Sequence, residues 1–213
     1  MTKVHDEGST RRFNTTVLHE GSMRYTFSER LMHTSAAVSY VYLLLTGLAF
    51  WSPAFYWIAT VLGGGFLARA MHPWVGVVFA TVATWMLVKW SIVMRTTPED
   101  REWRKAIWHY IRNEDHRVPK QSGRFNYGQK MQFWVMTMSA FILLLSGLVL
   151  WFPQSIPGPA VVVREIAILV HAITALVTIG AFIIHVYMGV VVVPNGQAIV
   201  IGGSTEDRAA ARR

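Results

Sequence analysis

The stretch Ile166-Ala-Ile-Leu-Val-His171-Ala-Ile-Thr-Ala-Leu-Val-Thr-Ile-Gly180-Ala-Phe-Ile-Ile-His185-Val-Tyr-Met-Gly-Val-Val-Val-Val193 decides how this chain is read. No Asp, Glu, Lys or Arg stands between Glu165 and Glu206. A run this long and apolar predicts a membrane-spanning helix. It carries two histidines, and at 1.5 Å per residue their fourteen-residue spacing puts the imidazoles about 21 Å apart along the axis. At about 100° per residue they point within roughly 40° of each other, so both face the same neighbours. A hydrocarbon core is about 30 Å thick. The helix therefore offers one nitrogen ligand near each membrane face, on a single side.

The rest of the chain fits this start. Of 213 residues, 53% are apolar and 15% charged, and the apolar ones gather in four long stretches. That predicts an all-α integral membrane protein with four transmembrane helices. There is no cysteine, which excludes disulfides, thiolate-held iron–sulfur clusters and covalent Cys-x-x-Cys-His haem attachment. The first thirty residues are polar and lack the apolar core of a signal peptide. A net charge of +8 could suggest nucleic acid, but the bases flank apolar spans, so topogenic charge and anionic lipid explain it better.

In chain order, residues 1–25 form a polar extension without apolar periodicity. Thr26-Phe-Ser-Glu29 fits a capping box at the start of a helix. Span one runs from about Leu31 to Trp51, with His33 at its beginning. An aromatic belt, Trp51-Ser-Pro-Ala-Phe-Tyr-Trp57, and a link at Gly63-Gly64-Gly65 follow. Span two covers about Ala70 to Met94, with His72 and Pro73 at its start, where proline is tolerated in a first turn and kinks a helix that begins earlier. The segment Arg95 to Lys130 is polar and holds nine Lys or Arg. Span three, about Met131 to Phe152, has no histidine. Span four closes a membrane domain over 26–194, and 195–213 is a short tail. No convincing internal repeat and no low-complexity run is evident. The linkers after spans one and three carry only Arg69 and Arg164, so the positive-inside rule puts the middle loop and both termini in the cytoplasm.

With that orientation, His72 and His171 share the outer depth and His33 and His185 the inner one. Each pair bridges two helices, as a bis-imidazole site inside a bundle requires. Two neutral imidazoles with no carboxylate or thiolate suit the axial positions of a haem iron, whereas zinc asks for four ligands. A single intramembrane histidine is equally consistent with a hydrogen-bonded packing residue; four at two matched depths are not easily so explained. His5, His19, His109 and His116 lie in polar segments and read as surface residues. Gly47, Gly76, Gly147 and Gly180 would let flat groups or backbones approach closely.

Where the middle loop meets span three, Ser122-Gly-Arg-Phe-Asn-Tyr-Gly-Gln-Lys130 offers the amides of Asn126 and Gln129, the aromatic surface of Phe125 and Tyr127, and close backbone approach at Gly128. These suit a quinone head, which needs two hydrogen bonds and a flat apolar slot. The same residues could simply cap span three.

Taken together, Arg30-Leu-Met-His33, Met71-His72-Pro73, Phe125-Asn126-Tyr-Gly128-Gln129-Lys130, Leu169-Val-His171-Ala172 and Ile184-His185-Val-Tyr187-Met188 resemble the membrane cytochrome b (gamma) subunit of respiratory formate dehydrogenase, from about Thr26 to Pro194. The resemblance implies four membrane helices and two b haems, one on His72 and His171 and one on His33 and His185. It implies a menaquinone or ubiquinone pocket at Asn126, Gly128 and Gln129, faced by His185. It also implies an iron–sulfur partner subunit and a molybdenum- or tungsten-pterin catalytic subunit, which would carry the formate chemistry. The expected function is electron transfer through two haems from the iron–sulfur partner to quinone in the bacterial cytoplasmic membrane. Cytochrome b subunits of nickel–iron hydrogenase or thiosulfate reductase share the four-span plan and stand as alternatives. From other classes, a histidine-relay proton conductor is opposed by the scarcity of intramembrane Asp and Glu, and a passive anchor would need no histidines at matched depths.

Overall fold

The computed structural model describes residues 25–112, 114, 117–119, 124–155, 157, 161–192 and 199. The tail, most of the N-terminal extension, and His5, His19 and His116 lie outside them. Among the described residues there are helices and no strands: α1 (Phe27–Trp51), a 3-10 turn (Pro53–Phe55), α2 (Tyr56–Val61), α3 (Gly65–Trp90), α4 (Pro98–Lys105), α5 (Ile107–Ile111), α6 (Tyr127–Trp151), a second 3-10 turn (Pro153–Ser155), α7 (Val161–Tyr187) and a π-helical turn (Met188–Val192). Four helices are long and apolar enough to cross a bilayer: α1, α3, α6 and α7 with its π extension. Their outward faces expose large apolar side chains such as Phe66, Val88 and Leu145. These are the residues that lipid covers, while backbone polar groups are satisfied within each helix.

Each span begins or ends where local chemistry dictates. The capping box of α1 is formed: the Thr26 N–H donates to Glu29 Oε2 (2.9 Å), and the Glu29 N–H donates to Thr26 Oγ1 (3.4 Å). Helix α6 has the same device, with the Asn126 N–H donating to Gln129 Oε1 (3.0 Å) and the Gln129 N–H to Asn126 Oδ1 (2.9 Å). Gly63 and Gly64 adopt φ of 95° and 100°, a left-handed turn that glycine makes without steric cost. Because α3 starts at Gly65, Pro73 lies inside it and not in its first turn. Pro73 therefore costs α3 an internal hydrogen bond next to His72.

The hairpins α1–α3 and α6–α7 pack side by side, α3 against α6 and α1 against α7. One end of the bundle holds the starts of α1 and α6 and the polar segment; we call it the basic end. The other holds the two proline turns, the turn end. At the basic end the carboxylate of Glu29, 2% exposed, accepts from Trp90 Nε1 at the end of α3 (3.1 Å) and from Arg124 Nη2 just before α6 (2.9 Å). Lys89 Nζ donates to Ser28 Oγ (2.7 Å). Midway, Tyr40, Phe79 and Phe182 meet with ring centroids 5.8 and 5.0 Å apart, beside Ala83 and Ala140.

One short stretch of sequence recurs where the spans end. Leu43-Leu-Leu-Thr46-Gly47-Leu-Ala-Phe-Trp51-Ser-Pro53 recurs as Leu143-Leu-Leu-Ser146-Gly147-Leu-Val-Leu-Trp151-Phe-Pro153, offset by 100 residues. The match reaches back to the caps, Thr26 with Asn126 and Glu29 with Gln129, and α1 and α6 each have 25 residues. Tyr40 and Ala140 are also equivalent, one large and one small, so the two fill the same layer without a clash. The repeat is hard to see in sequence because its matches are hydroxyls, leucines and caps, which membrane helices use everywhere. The connection after α3 is also far longer than that after α1.

The polar segment is clamped to the bundle by a buried ion pair. Asp100 of α4 is 1% exposed and accepts from Lys130 Nζ in α6 (2.8 Å) and from the Thr97 N–H (2.6 Å). Burial pushes its carboxyl up, but the Lys130 and Thr97 hydrogen bonds outweigh this and hold it below the ordinary Asp value. Its stabilising effect is present above the unfolded-state value and is lost as pH falls through the depressed folded one. Lys130→Met, which takes the buried carboxylate's cationic partner away, is expected to destabilise by about 3 kcal/mol, read as a lowered thermal midpoint in detergent. Asp100→Asn with Lys130→Met should recover part of this, and Asp100→Asn alone should flatten the loss of stability below about pH 4. A Lys130→Met cost within about 0.5 kcal/mol of zero would contradict this picture of the clamp.

Candidate functional site

The four intramembrane histidines come together as two pairs. His72 of α3 faces His171 of α7 near the turn end, with ring centroids 6.5 Å apart. His33 of α1 faces His185 of α7 near the basic end, at 5.9 Å. The pairing is the one the depths predicted. Two imidazoles binding one metal ion from opposite sides, each nitrogen about 2.0 Å from it, have centroids about 6 Å apart. Both pairs have this spacing. Among the described residues no cluster of three or more His, Cys, Asp or Glu forms, so each site offers two imidazoles and no further ligand, a donor set that suits a haem iron.

Hydroxyls fix the rings at the turn end. Thr46 Oγ1 lies 2.7 Å from His72 Nδ1, and Ser146 Oγ lies 2.9 Å from His171 Nδ1. Each hydroxyl already donates its proton to its own helix, Thr46 to the Tyr42 carbonyl (2.8 Å) and Ser146 to the Ile142 carbonyl (2.7 Å). With that proton on the helix, each hydroxyl oxygen can accept from the ring, which corresponds to the tautomer that carries its proton on Nδ1 and keeps the Nε2 lone pair for a ligand. Thr46 and Ser146 are buried, and they are the equivalent residues of the recurring stretch. The turn-end site thus lies between the two hairpins, each contributing one hydroxyl and one histidine. The sequence reading did not include Thr46 and Ser146. The signal was present in the repeated Leu-Leu-Leu-(Thr/Ser)-Gly.

The basic-end pair breaks the symmetry. Phe133 stands where His33 has its equivalent, and Met86, fourteen residues after His72, stands where His185 follows His171. Both join the apolar cluster of Tyr25, Met32, Trp90, Met94 and Phe125. His33 Nδ1 is buried without a hydrogen-bond partner, in contrast to the two rings at the turn end.

The residues expected at a quinone head divide. Asn126 and Gln129 form the α6 cap with their carbonyl oxygens, so the capping role is real. The cap uses Gln129 Oε1 and leaves its Nε2 amide out. Phe125, expected as open aromatic surface, is buried against Trp90 with centroids 5.9 Å apart. Tyr127 packs near Trp103, at 6.1 Å, and Gly128 lies in the first turn of α6. Ser122 and Gly123 lie outside the described residues. The cluster shares the basic end with His33, since Phe125 and Met32 belong to one core. His109, in α5, pairs with Glu114 (2.7 Å).

Glycine is required next to the hydroxyls. A Cβ at Gly147 would come 3.3 Å from His171 Cε1, whereas one at Gly47 would lie 4.0 Å from His72 Cε1. Gly147→Ala is expected to push the His171 ring and cost about 1–3 kcal/mol, and Gly47→Ala clearly less. Thermal midpoints of the two variants in detergent check this; equal losses would contradict it.

Comparison with known proteins agrees with this arrangement. The family model described as prokaryotic cytochrome b561 matches residues 24–201. The formate dehydrogenase cytochrome b556(fdo) subunit of Escherichia coli K12 is 32% identical over 86% of this chain and 85% of its own length. The formate dehydrogenase cytochrome b556 subunit of Haemophilus influenzae is 29% identical over 86% of this chain and 76% of its own. For the nitrate-inducible cytochrome b556(Fdn) subunit of Escherichia coli K12 the figures are 27%, 78% and 76%. Bacterial relatives and four apolar spans make this a multi-pass protein of the bacterial inner membrane. The chain belongs to the prokaryotic cytochrome b561 family and is a membrane cytochrome b, a family whose cofactor is haem b.

Proposed function

We propose that the chain is the electron-transfer subunit of a formate dehydrogenase-like complex, holding two b haems and passing electrons to quinone. The observation that carries this is the pair of facing imidazole sites at opposite ends of one bundle, each with the spacing of a bis-histidine iron. When bound, haem supplies a one-electron couple at each site. His72 and His171 serve as axial ligands at the turn end, and His33 and His185 at the basic end. About 21 Å of α7 separates the two sites along the membrane normal, and the Tyr40, Phe79 and Phe182 layer keeps water from the space between.

The nine Lys or Arg of the segment 95–130 support a cytoplasmic basic end by the positive-inside rule. Electrons then arrive at the turn end from an iron–sulfur partner docked outside, fed by a molybdenum- or tungsten-pterin subunit that oxidises formate. They leave at the basic end, where Gln129 and Asn126 orient menaquinone or ubiquinone beside His185 and its protons come from the cytoplasm. Moving each electron inward opposes about 2.3 kcal/mol per 100 mV of existing potential, so turnover builds that potential. Gly128 leaves room for the quinone ring, and the relatives' designation as formate dehydrogenase subunits supports the donor side.

The test separates capping from quinone contact. Gln129→Glu retains an oxygen to cap α6, as Glu29 does for α1, but lacks the amide donor. With haem-loaded protein and a reduced menaquinone analogue, Gln129→Glu is expected to slow quinol-driven haem reduction about tenfold, the loss of about one hydrogen bond, with an unchanged thermal midpoint. His185→Ala should abolish that reduction, and His72→Ala should leave quinol reduction of the remaining haem intact. Wild-type rates in Gln129→Glu and His185→Ala would overturn the quinone site.

A further inference from the structure

The turn-end rings and His33 differ in what their Nδ1 atoms touch. At the turn end each Nδ1 lies against a hydroxyl, Thr46 at 2.7 Å and Ser146 at 2.9 Å, placed to accept its proton. At the basic end His33 Nδ1 is buried with no acceptor. An imidazole whose Nδ1–H is hydrogen-bonded is a stronger electron donor through Nε2. Stronger donation stabilises the oxidised iron more than the reduced one and so lowers the reduction potential. Hydrogen bonding around the axial ligands is one of the levers by which a protein sets that potential.

We infer that Thr46 and Ser146 are positioning residues that set the turn-end site below the basic-end site in reduction potential, so that the duplicated hydroxyl gives electron flow its direction across the membrane. This rests on the two-haem reading above. The hydroxyls are unusually well suited to the task. Each donates to a carbonyl of its own helix, four residues back, so its oxygen can accept from the ring. Both are also shielded: Thr46 is fully buried and Ser146 is 6% exposed, so water does not compete for Nδ1–H.

The test is a potentiometric titration of the haem-loaded protein, following the haem α-band and, in parallel, the low-spin ferric EPR signals. The turn-end component is identified as the one absent from His72→Ala. In the wild type it is expected to titrate below the basic-end component. Thr46→Val combined with Ser146→Ala should raise its reduction equilibrium about tenfold, about 59 mV for a one-electron couple, and leave the basic-end component in place. Thr46→Ser, which keeps the hydroxyl, should retain the wild-type value. A turn-end component at or above the basic-end one in the wild type overturns the proposal without any variant. So does an unmoved potential in the double variant with both haems retained. A wild-type protein that is folded but holds no haem overturns the two-haem reading itself, an outcome the spectra distinguish at once.

Discussion

A neutral imidazole inside a bilayer has a ring nitrogen on each side, and neither finds water there. The turn-end rings answer this constraint on one side, with a hydroxyl against Nδ1, and stand 6.5 Å apart, centroid to centroid. Unpaired polar groups in hydrocarbon cost several kcal/mol, so helix placement follows from the pairing. α3 must lie where His72 reaches both Thr46 of α1 and His171 of α7. α7 must lie where His171 reaches Ser146 of α6 while His185 reaches His33 of α1. Four helices are thereby tied into one closed bundle by two pairs of rings. Gly147 stands beside His171 where a side chain would crowd the ring, while Gly47 leaves His72 ordinary contact room.

The remaining polar chemistry gathers at the basic end and has a different purpose. Glu29 collects Thr26, Trp90 and Arg124, and Asp100 collects Thr97 and Lys130. Together they fix the starts of α1 and α6, the end of α3 and the segment between. Replacing such buried pairs by apolar residues is often neutral; their use here is geometric, holding the residues around His33 and the α6 cap in register. Symmetry is preserved at the turn end and given up at the basic end. This division matches a protein that receives electrons at one site and discharges them to a different acceptor at another.

Much of this was legible in the sequence. Charge-free length gave the spans, the Thr26 box gave the start of α1, and fourteen-residue spacing with alternating span direction gave both histidine pairs. What escaped was chemistry that membrane helices use for ordinary purposes. Thr46 and Ser146 look like any hydroxyl bonded to its own backbone until a ring is found beside it. The recurring stretch hides in leucines, glycines and caps. Phe125 reads in sequence as aromatic surface for a slot, and only the position of Trp90 shows that it belongs to the core. Asn126 and Gln129 fit both a cap and a ligand site, and the structure shows the cap, made by their side-chain oxygens.

The central claim is that each facing histidine pair holds one haem. The most direct measurement is the haem content of the purified wild-type chain by pyridine haemochrome, with EPR of the oxidised protein. The account expects two b haems per chain and two distinct bis-imidazole signals, one lost in His72→Ala and the other in His33→Ala. A folded, membrane-inserted chain with a single haem, or with two that survive both substitutions, would contradict it.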